Sequence, residues 1–126
     1  MRRVAFLAKY KEEYMLIAVS SEGPCLTDPV DPRYGRAGGF VLADYSSEGD
    51  PKVRYLDNGD AQMLAQGAGI ATTEHLAAEG VSVVLSGYVG PKALEALNSA
   101  GIRVVQNMDG MSVGQALQKY REQAGL

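Results

Sequence analysis

A strand–helix–strand unit in the second half of the chain limits the possible folds more than any other part of the sequence. The apolar, β-branched run at residues 81–85 predicts a strand, and residues 102–105 predict another. Between them, Pro91 suits the first turn of a helix that runs to about Ala100 and ends at Gly101. Strands joined in this way lie parallel, with a right-handed crossover. The unit therefore predicts an α/β sheet covered by helices.

The first half of the chain predicts three more strands. Residues 15–19 form an unbroken apolar run, which is typical of a central strand covered on both faces. Residues 40–45 and 52–56 flank the turn-like segment 46–51, so they predict an antiparallel hairpin. The second strand of this hairpin alternates polar and apolar residues, which indicates an edge strand. We expect the strands at 15–19 and 81–85 to be central.

Two further helices complete the predicted order. Residues 60–79 have helical periodicity, with a firm helix from about Ile70 to Glu79 and a looser helical stretch before it. Ser112 is expected to cap a final helix that continues through Gln123. The order is a strand, a hairpin, and then helix, strand, helix, strand and helix. This predicts a mixed sheet of about five strands flanked by helices.

Length and composition limit the domain count and the class of protein. A chain of 126 residues is expected to form one domain, which we assign to 15–126, with 1–14 as an N-terminal extension. The net charge of −3 argues against nucleic-acid binding. The single cysteine excludes an internal disulfide and fits the reducing cytoplasm. No apolar run approaches the ~20 residues that span a bilayer, so we expect a cytoplasmic protein without a membrane partner. No exposed apolar stripe requires a dimer, so we expect a monomer.

The strongest functional signal lies in residues 30–39, here called the arginine loop. It contains Arg33 and Arg36, with Tyr34 and Gly35 between them. An arginine guanidinium presents a planar fork of donors to an anion, and glycine allows the backbone to approach a ligand closely. The loop therefore predicts a site for a small anionic ligand. The alternative is an ordinary surface loop whose arginines pair with neighbouring aspartates.

Two glycine-containing turns are expected to lie near the arginine loop. One follows the strand at 81–85 and the other precedes the helix at Ile70. Each leads to a helix N-terminus, whose free N–H groups and dipole favour an anion. Ligands of open α/β sheets bind at the carboxyl ends of the strands. The alternative is a pair of simple turns into helices. The candidate binding residues are Arg33, Tyr34, Gly35, Arg36, Gly67, Gly69, Gly87, Tyr88 and Gly90.

Other reactive side chains are scattered along the chain. Cys25 could ligate a soft metal, but no histidine or second cysteine lies near it in sequence. Asp44, Asp57 and Asp109 could form an acidic metal cluster, although turn aspartates are usually structural. His75 is expected to be a surface residue. No Ser–His–Asp arrangement is recognisable, so we expect a protein that is not an enzyme, with a magnesium-dependent hydrolase or nuclease as the alternative.

Three stretches of the sequence resemble a known family. They are IAVSSEG at 17–23, VDPRYGRAGGFVLAD at 30–44 and GAGIATTEHLAAEGVSVVLSGYVGPKALEALNSAGIRVV at 67–105. They are similar to the dinitrogenase iron-molybdenum cofactor biosynthesis family, over about residues 15–105. That family includes nitrogenase accessory proteins that hold cofactor precursors, and the orange-protein type, which binds a molybdenum–copper sulfide cluster. The resemblance implies a ribonuclease H-like α/β fold without implying nuclease activity.

The resemblance also implies a ligand. Nitrogenase-type members usually have Asp-x-His-Phe-Gly in this loop, and Arg33 stands at the histidine position here. A charged guanidinium does not readily ligate iron, whereas it suits an anionic sulfide cluster. The family likeness thus implies a non-catalytic carrier that holds a molybdenum-containing metal–sulfur cluster non-covalently, either a Mo–Cu sulfide or an iron–molybdenum cofactor precursor. Its partner would be a receiving protein or an ATPase. The alternative is a partner-binding or regulatory module with no bound cluster.

Overall fold

The computed structural model describes residues 15–46 and 49–125. The predicted N-terminal extension, residues 1–14, lies outside the described residues. Within them, no helix is both long and apolar enough to cross a bilayer.

Five strands and four helices make up the part of the chain that the structure describes. The strands are β1 (Leu16–Ser21), β2 (Gly39–Asp44), β3 (Lys52–Asp57), β4 (Val83–Leu85) and β5 (Arg103–Val105). The helices are α1 (Gly59–Gln62), α2 (Ala68–Ala78), α3 (Pro91–Ser99) and α4 (Val113–Gln123). The element order is the one that the sequence predicts, except that the stretch predicted as helical over 60–79 forms two helices, α1 and α2. The other strand and helix ends differ from the predicted ones by at most two residues.

The five strands form one mixed sheet in the order β3-β2-β1-β4-β5. β1 and β2 pair antiparallel, as do β2 and β3, whereas β4 pairs parallel with both β1 and β5. The predicted hairpin, the parallel crossover, the edge position of β3 and the internal positions of β1 and β4 are all confirmed. This is the α/β, ribonuclease H-like arrangement expected from the resemblance.

The apolar character of β1 follows from its cover on both faces. Ile17 and Val19 contribute to a buried cluster beneath α4, which supplies Val113, Ala116 and Leu117. The alternate β1 residue Ala18 lies in the second buried cluster, on the face covered by α2 and α3. Because successive side chains of a strand point to opposite faces, cover on both faces explains the consecutive apolar residues 16–19.

The looser helical stretch before α2 divides into two parts. A short helix, α1, follows β3, and the chain then turns into α2 through Gly67, whose φ is +77°. Glycine adopts this left-handed conformation without steric strain, so the turn can bring the start of α2 back towards the arginine loop. Helix α2 begins at Ala68, two residues before the predicted start.

The segment between β1 and β2 has no long regular element, but it is tied to the sheet. Isolated β-bridges join Ser21 to Val30, Pro29 to Ser112 and Arg33 to Tyr88. The side chains of Val30, Tyr34 and Ala37 are buried. The long connection is therefore part of the folded domain and holds the arginine loop at one end of the sheet.

Candidate functional site

A cavity of about 550 Å³ lies where three segments meet. The segments are the arginine loop, the start of helix α2, and the connection from β4 into α3. The lining residues are Arg33, Tyr34, Gly35, Arg36, Gly67, Ala68, Gly69, Ile70, Tyr88, Gly90, Pro91, Lys92 and Ala93. Eight of the nine binding residues that the sequence predicts therefore line one cavity.

Gly87 is the predicted binding residue that does not line the cavity. A Cβ atom on Gly87 would lie 2.5 Å from the carbonyl oxygen of Pro32 and 2.6 Å from its Cα. Gly87 therefore allows the β4–α3 connection to pack against the backbone of the arginine loop. The close approach expected at this glycine occurs, but the neighbour is the protein itself.

Backbone hydrogen bonds hold these two segments together. The N–H of Tyr88 donates to the carbonyl of Pro32 at 2.7 Å, and the N–H of Tyr34 donates to the carbonyl of Tyr88 at 3.1 Å. These segments follow β1 and β4, which are adjacent parallel strands. Their carboxyl ends lie at the same edge of the sheet, where the two connections diverge, and this is the position expected for a ligand site.

Two glycines allow the cavity walls to approach each other. A Cβ atom on Gly35 would lie 2.8 Å from the backbone nitrogen of Gly69 and 2.9 Å from its Cα. A Cβ atom on Gly69 would lie 2.7 Å from the Cβ of Ala93 in helix α3. The arginine loop, α2 and α3 are therefore in direct contact through positions where a side chain would force the backbone apart.

Tyr34 forms part of the floor of the cavity, where its side chain is 1% exposed. Its hydroxyl lies 2.9 Å from the Thr73 hydroxyl, and Thr73 in turn donates to the carbonyl of Gly69 at 2.8 Å. Its ring packs edge-on against Phe40, with the ring centroids 5.6 Å apart. Burial raises the pKa of Tyr34 well above its ordinary value. Its side chain therefore fixes the loop to α2.

Arg36 lines the cavity, but its guanidinium is engaged with backbone. Nη1 donates to the carbonyls of Gln62, at 2.9 Å, and Leu64, and Nη2 donates to the carbonyl of Ala65 at 3.3 Å. The side-chain amide of Gln62 donates back to the carbonyl of Arg36. Arg36 therefore clamps the segment between α1 and α2 onto the arginine loop, an arrangement that the sequence does not reveal.

Arg33 and Lys92 are the other two cations of the cavity. The Arg33 side chain is 62% exposed, and its Nε lies 3.6 Å from the carboxylate of Asp31, which is 6% exposed. Lys92 is exposed and has no ion-pair partner within 4.0 Å among the described residues. Within residues 15–46 and 49–125, no aspartate or glutamate lines the cavity. The site is therefore cationic in a protein that is acidic overall.

A buried polar network supports the wall of the cavity, and the sequence analysis missed it. Asn58 is 2% exposed and donates to the carbonyl of Ala37 and to the Thr72 hydroxyl, both at 3.0 Å. The Thr72 hydroxyl also lies 3.4 Å from the carbonyl of Gly35. Asn58 belongs to an Asn-Gly pair, which is typical of a turn. The sequence therefore indicates the turn but not the link that Asn58 makes between the arginine loop and α2.

The helices that point at the cavity lack the usual N-terminal caps. Helices α2 and α3 begin after Gly67 and Gly90, with no side-chain cap and no acidic residue in the first turn. Helix α4, by contrast, has a full capping box between Ser112 and Gln115. The free N–H groups at the start of α2 and α3 remain available to an anion.

The other reactive residues do not join this site. Cys25 is exposed and outside the cavity lining, and its backbone N–H donates to Asp28 at 2.7 Å. His75 is exposed on α2. Over the described part of the chain, no group of three or more His, Cys, Asp or Glu residues could hold a metal ion. The cavity therefore offers charge and N–H donors in place of a conventional set of metal ligands.

Comparison with known proteins gives one family and several structural relatives. A family model described as dinitrogenase iron-molybdenum cofactor matches residues 14–123. The apo form of the orange protein from Desulfovibrio gigas is 48% identical, with a TM-score of 0.81 over 86% of this chain and 88% of that chain. A search of curated proteins gives no match.

Two more distant structures share the architecture. A Thermotoga protein described as a candidate NifB protein is 28% identical, with a TM-score of 0.68 over 86% of this chain and 88% of that chain. A Methanocaldococcus jannaschii protein described as a candidate dinitrogenase is 11% identical, with a TM-score of 0.65 over 86% of this chain and 89% of that chain. At this low identity, the second comparison shows the fold alone.

Proposed function

Because the chain belongs to the dinitrogenase iron-molybdenum cofactor family, we propose that it is a non-catalytic carrier of an anionic metal–sulfur cluster, held non-covalently in the cavity. The cargo we propose is a molybdenum-containing sulfide, either a Mo–Cu sulfide or a precursor of the iron–molybdenum cofactor. The single observation that carries the proposal is the charge of the lining, which includes Arg33, Arg36 and Lys92 and, within the described residues, no carboxylate.

The chemistry of the lining also favours a sulfide over an oxyanion. Ile70 is 44% exposed and Tyr88 is 65% exposed, and both line the cavity with Ala93 and Pro91. Metal-bound sulfide is a softer and less strongly hydrated acceptor than a metal-bound oxide, so it loses less on leaving water for a partly apolar wall. Cationic side chains and free helix N–H groups then neutralise its charge without direct ligation.

The test is reconstitution of the apo protein. The purified chain is mixed with tetrathiomolybdate and copper(I), passed through gel filtration, and examined for visible absorption and metal content. We expect a chromophore that elutes with the protein in a fixed ratio. Molybdate with copper(I) is the matched control, because it has the same tetrahedral shape and charge with oxygen in place of sulfur. A protein that elutes colourless and free of molybdenum after the sulfide treatment contradicts the proposal.

A substitution links the chromophore to the cavity. Arg33→Ala removes an exposed cation of the lining, and we expect it to weaken tetrathiomolybdate binding about five- to tenfold. Arg54→Ala is the control, because Arg54 lies on the edge strand β3 and pairs with Glu79, away from the cavity. Equal binding by both variants and by the unaltered chain would place the cargo elsewhere.

The second candidate function is a docking module for a partner protein, with no bound cluster. It is favoured by large side chains that remain exposed, with Tyr88 65% exposed in the cavity lining and Met63 82% exposed in the segment that Arg36 contacts. Stoichiometric recovery of one partner from cells grown without molybdenum, by a chain that stays colourless after reconstitution, would favour this function over the carrier. A receiving protein or an ATPase would be the partner in either case.

A further inference from the structure

The three cations of the cavity differ in what holds them. Arg36 has both terminal nitrogens engaged with backbone carbonyls of residues 62–65, so most of its donors already have acceptors. Arg33 lies beside the carboxylate of Asp31, which offsets part of its charge. Lys92 has neither kind of partner among the described residues. Of the three cations, its ammonium group is therefore the one whose charge is least offset by neighbouring protein groups.

The position of Lys92 is unfavourable for the fold. It occupies the second residue of helix α3, directly after Pro91. The N-terminal end of a helix carries a partial positive charge, so a cation there is repelled and an acidic residue is preferred. Helix α3 has no acidic residue in its first turn and no side-chain cap that would offset this repulsion.

The same chain caps helix α4 in the usual way, and α4 does not line the cationic cavity. Ser112 accepts the N–H of Gln115 at the start of α4, and the side chain of Gln115 accepts the N–H of Ser112. Departures from such local rules are found where a residue serves a function at the expense of stability. A lysine at an uncapped helix start that also lines a cationic cavity is such a departure.

We propose that Lys92 is a binding residue for the cargo and that it makes the cavity selective for ligands with at least two negative charges. The proposal rests on the carrier function proposed above. Arg33 is its counterpart on the arginine loop, whereas Arg36 acts mainly as the clamp of residues 62–65. Lys92 therefore strengthens ligand binding but lowers the stability of the folded protein.

The test compares two thioanions of the same shape and different charge. Tetrathiomolybdate carries two negative charges and tetrathioperrhenate carries one. The probes are titrated without copper into the unaltered chain, into Lys92→Gln, and into the control Lys119→Gln, which changes an exposed lysine on α4. The melting temperature of each unliganded protein is measured in parallel.

We expect Lys92→Gln to weaken tetrathiomolybdate binding about five- to tenfold and tetrathioperrhenate binding about half as much on a logarithmic scale. We expect the melting temperature of this variant to be equal or higher, because a cation has left the helix N-terminus. Lys119→Gln should leave both affinities unchanged.

Three results would overturn the proposal. Binding of tetrathiomolybdate by Lys92→Gln within twofold of the unaltered chain would remove the role of Lys92 and leave the carrier function in place. Weaker binding with a lower melting temperature would mean that Lys92 supports the fold and acts only indirectly. Failure of the unaltered chain to bind either thioanion would reject the carrier function and this inference with it.

Discussion

The hydroxyl groups of Tyr34 and Thr73 lie 2.9 Å apart in the interior of the protein, and their contact joins the arginine loop to helix α2. Thr73 passes the connection on to the carbonyl of Gly69, which lines the cavity. The cationic loop and the helix that faces it are therefore held together by a buried contact between two side chains.

Replacement of Tyr34 by phenylalanine tests this connection. Tyr34→Phe keeps the ring and its packing against Phe40 but leaves the buried Thr73 hydroxyl without this partner. We expect the free energy of unfolding at pH 7, measured by urea denaturation, to fall by about 1–2 kcal/mol. Tyr88→Phe is the matched control, because the Tyr88 side chain is 65% exposed, and it should change stability by less than about 0.5 kcal/mol.

The same variant should alter the response to alkaline pH. The pKa of Tyr34 rises above the ordinary value of 10.0 in the folded state, because burial disfavours the phenolate. Above about pH 10 the unfolded tyrosine releases its proton and the folded one keeps it, so stability is present below that pH and falls as the pH rises. We expect a shallower fall in Tyr34→Phe, with the remaining slope due partly to Tyr45 and Tyr55, whose pKa values are also raised. Identical pH profiles of the two proteins would contradict this assignment.

A methyl group on Gly35 should separate the arginine loop from α2. The Cβ atom of Gly35→Ala would meet backbone atoms of Gly69 at 2.8 and 2.9 Å, and backbone cannot move aside as a side-chain end can. We expect a loss of about 1–3 kcal/mol in the free energy of unfolding and weaker tetrathiomolybdate binding. Gly38→Ala in the same loop is the control, because its nearest contact would be the Gln62 side chain at 3.8 Å. Equal stability of both variants would show that the contact at Gly35 yields readily.

Removal of the Arg36 clamp should affect stability before it affects charge. Arg36→Ala leaves the carbonyls of Gln62, Leu64 and Ala65 without their shared donor. We expect a decrease of about 1–2 kcal/mol in the free energy of unfolding, together with faster amide hydrogen exchange at residues 62–67. The contrasting variant is Arg54→Ala, which breaks an exposed ion pair with Glu79 and should change stability by about 0.5 kcal/mol. If Arg36→Ala matched it in stability while binding fell, Arg36 would be a direct ligand contact.

Much of the fold follows from local patterns. The unbroken apolar runs of β1 and β4 identify internal strands, because both faces of such strands are covered. The alternation along β3 identifies an edge strand, since its side chains remain largely exposed. Ser112 identifies the start of α4 because a capping box lies within four consecutive residues. Each of these signals is contained in a short stretch of chain.

The segments that line the cavity could be predicted from sequence, but the contacts of their side chains could not. Connections that follow adjacent parallel strands must emerge at one edge of the sheet, so Arg33 and Tyr88 could be expected together. Lys92 was not among the predicted binding residues. A lysine directly after a proline at a helix start is an unfavourable position for a cation, and this could have been recognised in the sequence. The hydrogen bond between Asn58 and Thr72 was not predicted, because an Asn-Gly pair is sufficiently accounted for by a turn.

Local sequence patterns were sufficient to predict the five strands, the parallel pairing of β4 and β5, and the segments that carry the cationic residues. The contacts of these side chains, by contrast, depend on the folded arrangement of distant segments. Arg36 meets carbonyls that lie 26 to 29 residues further along the chain, and Tyr34 meets a hydroxyl 39 residues away. Periodicity and turn composition report on neighbours within a few residues, whereas the partner of a buried or clamping side chain depends on how distant segments pack.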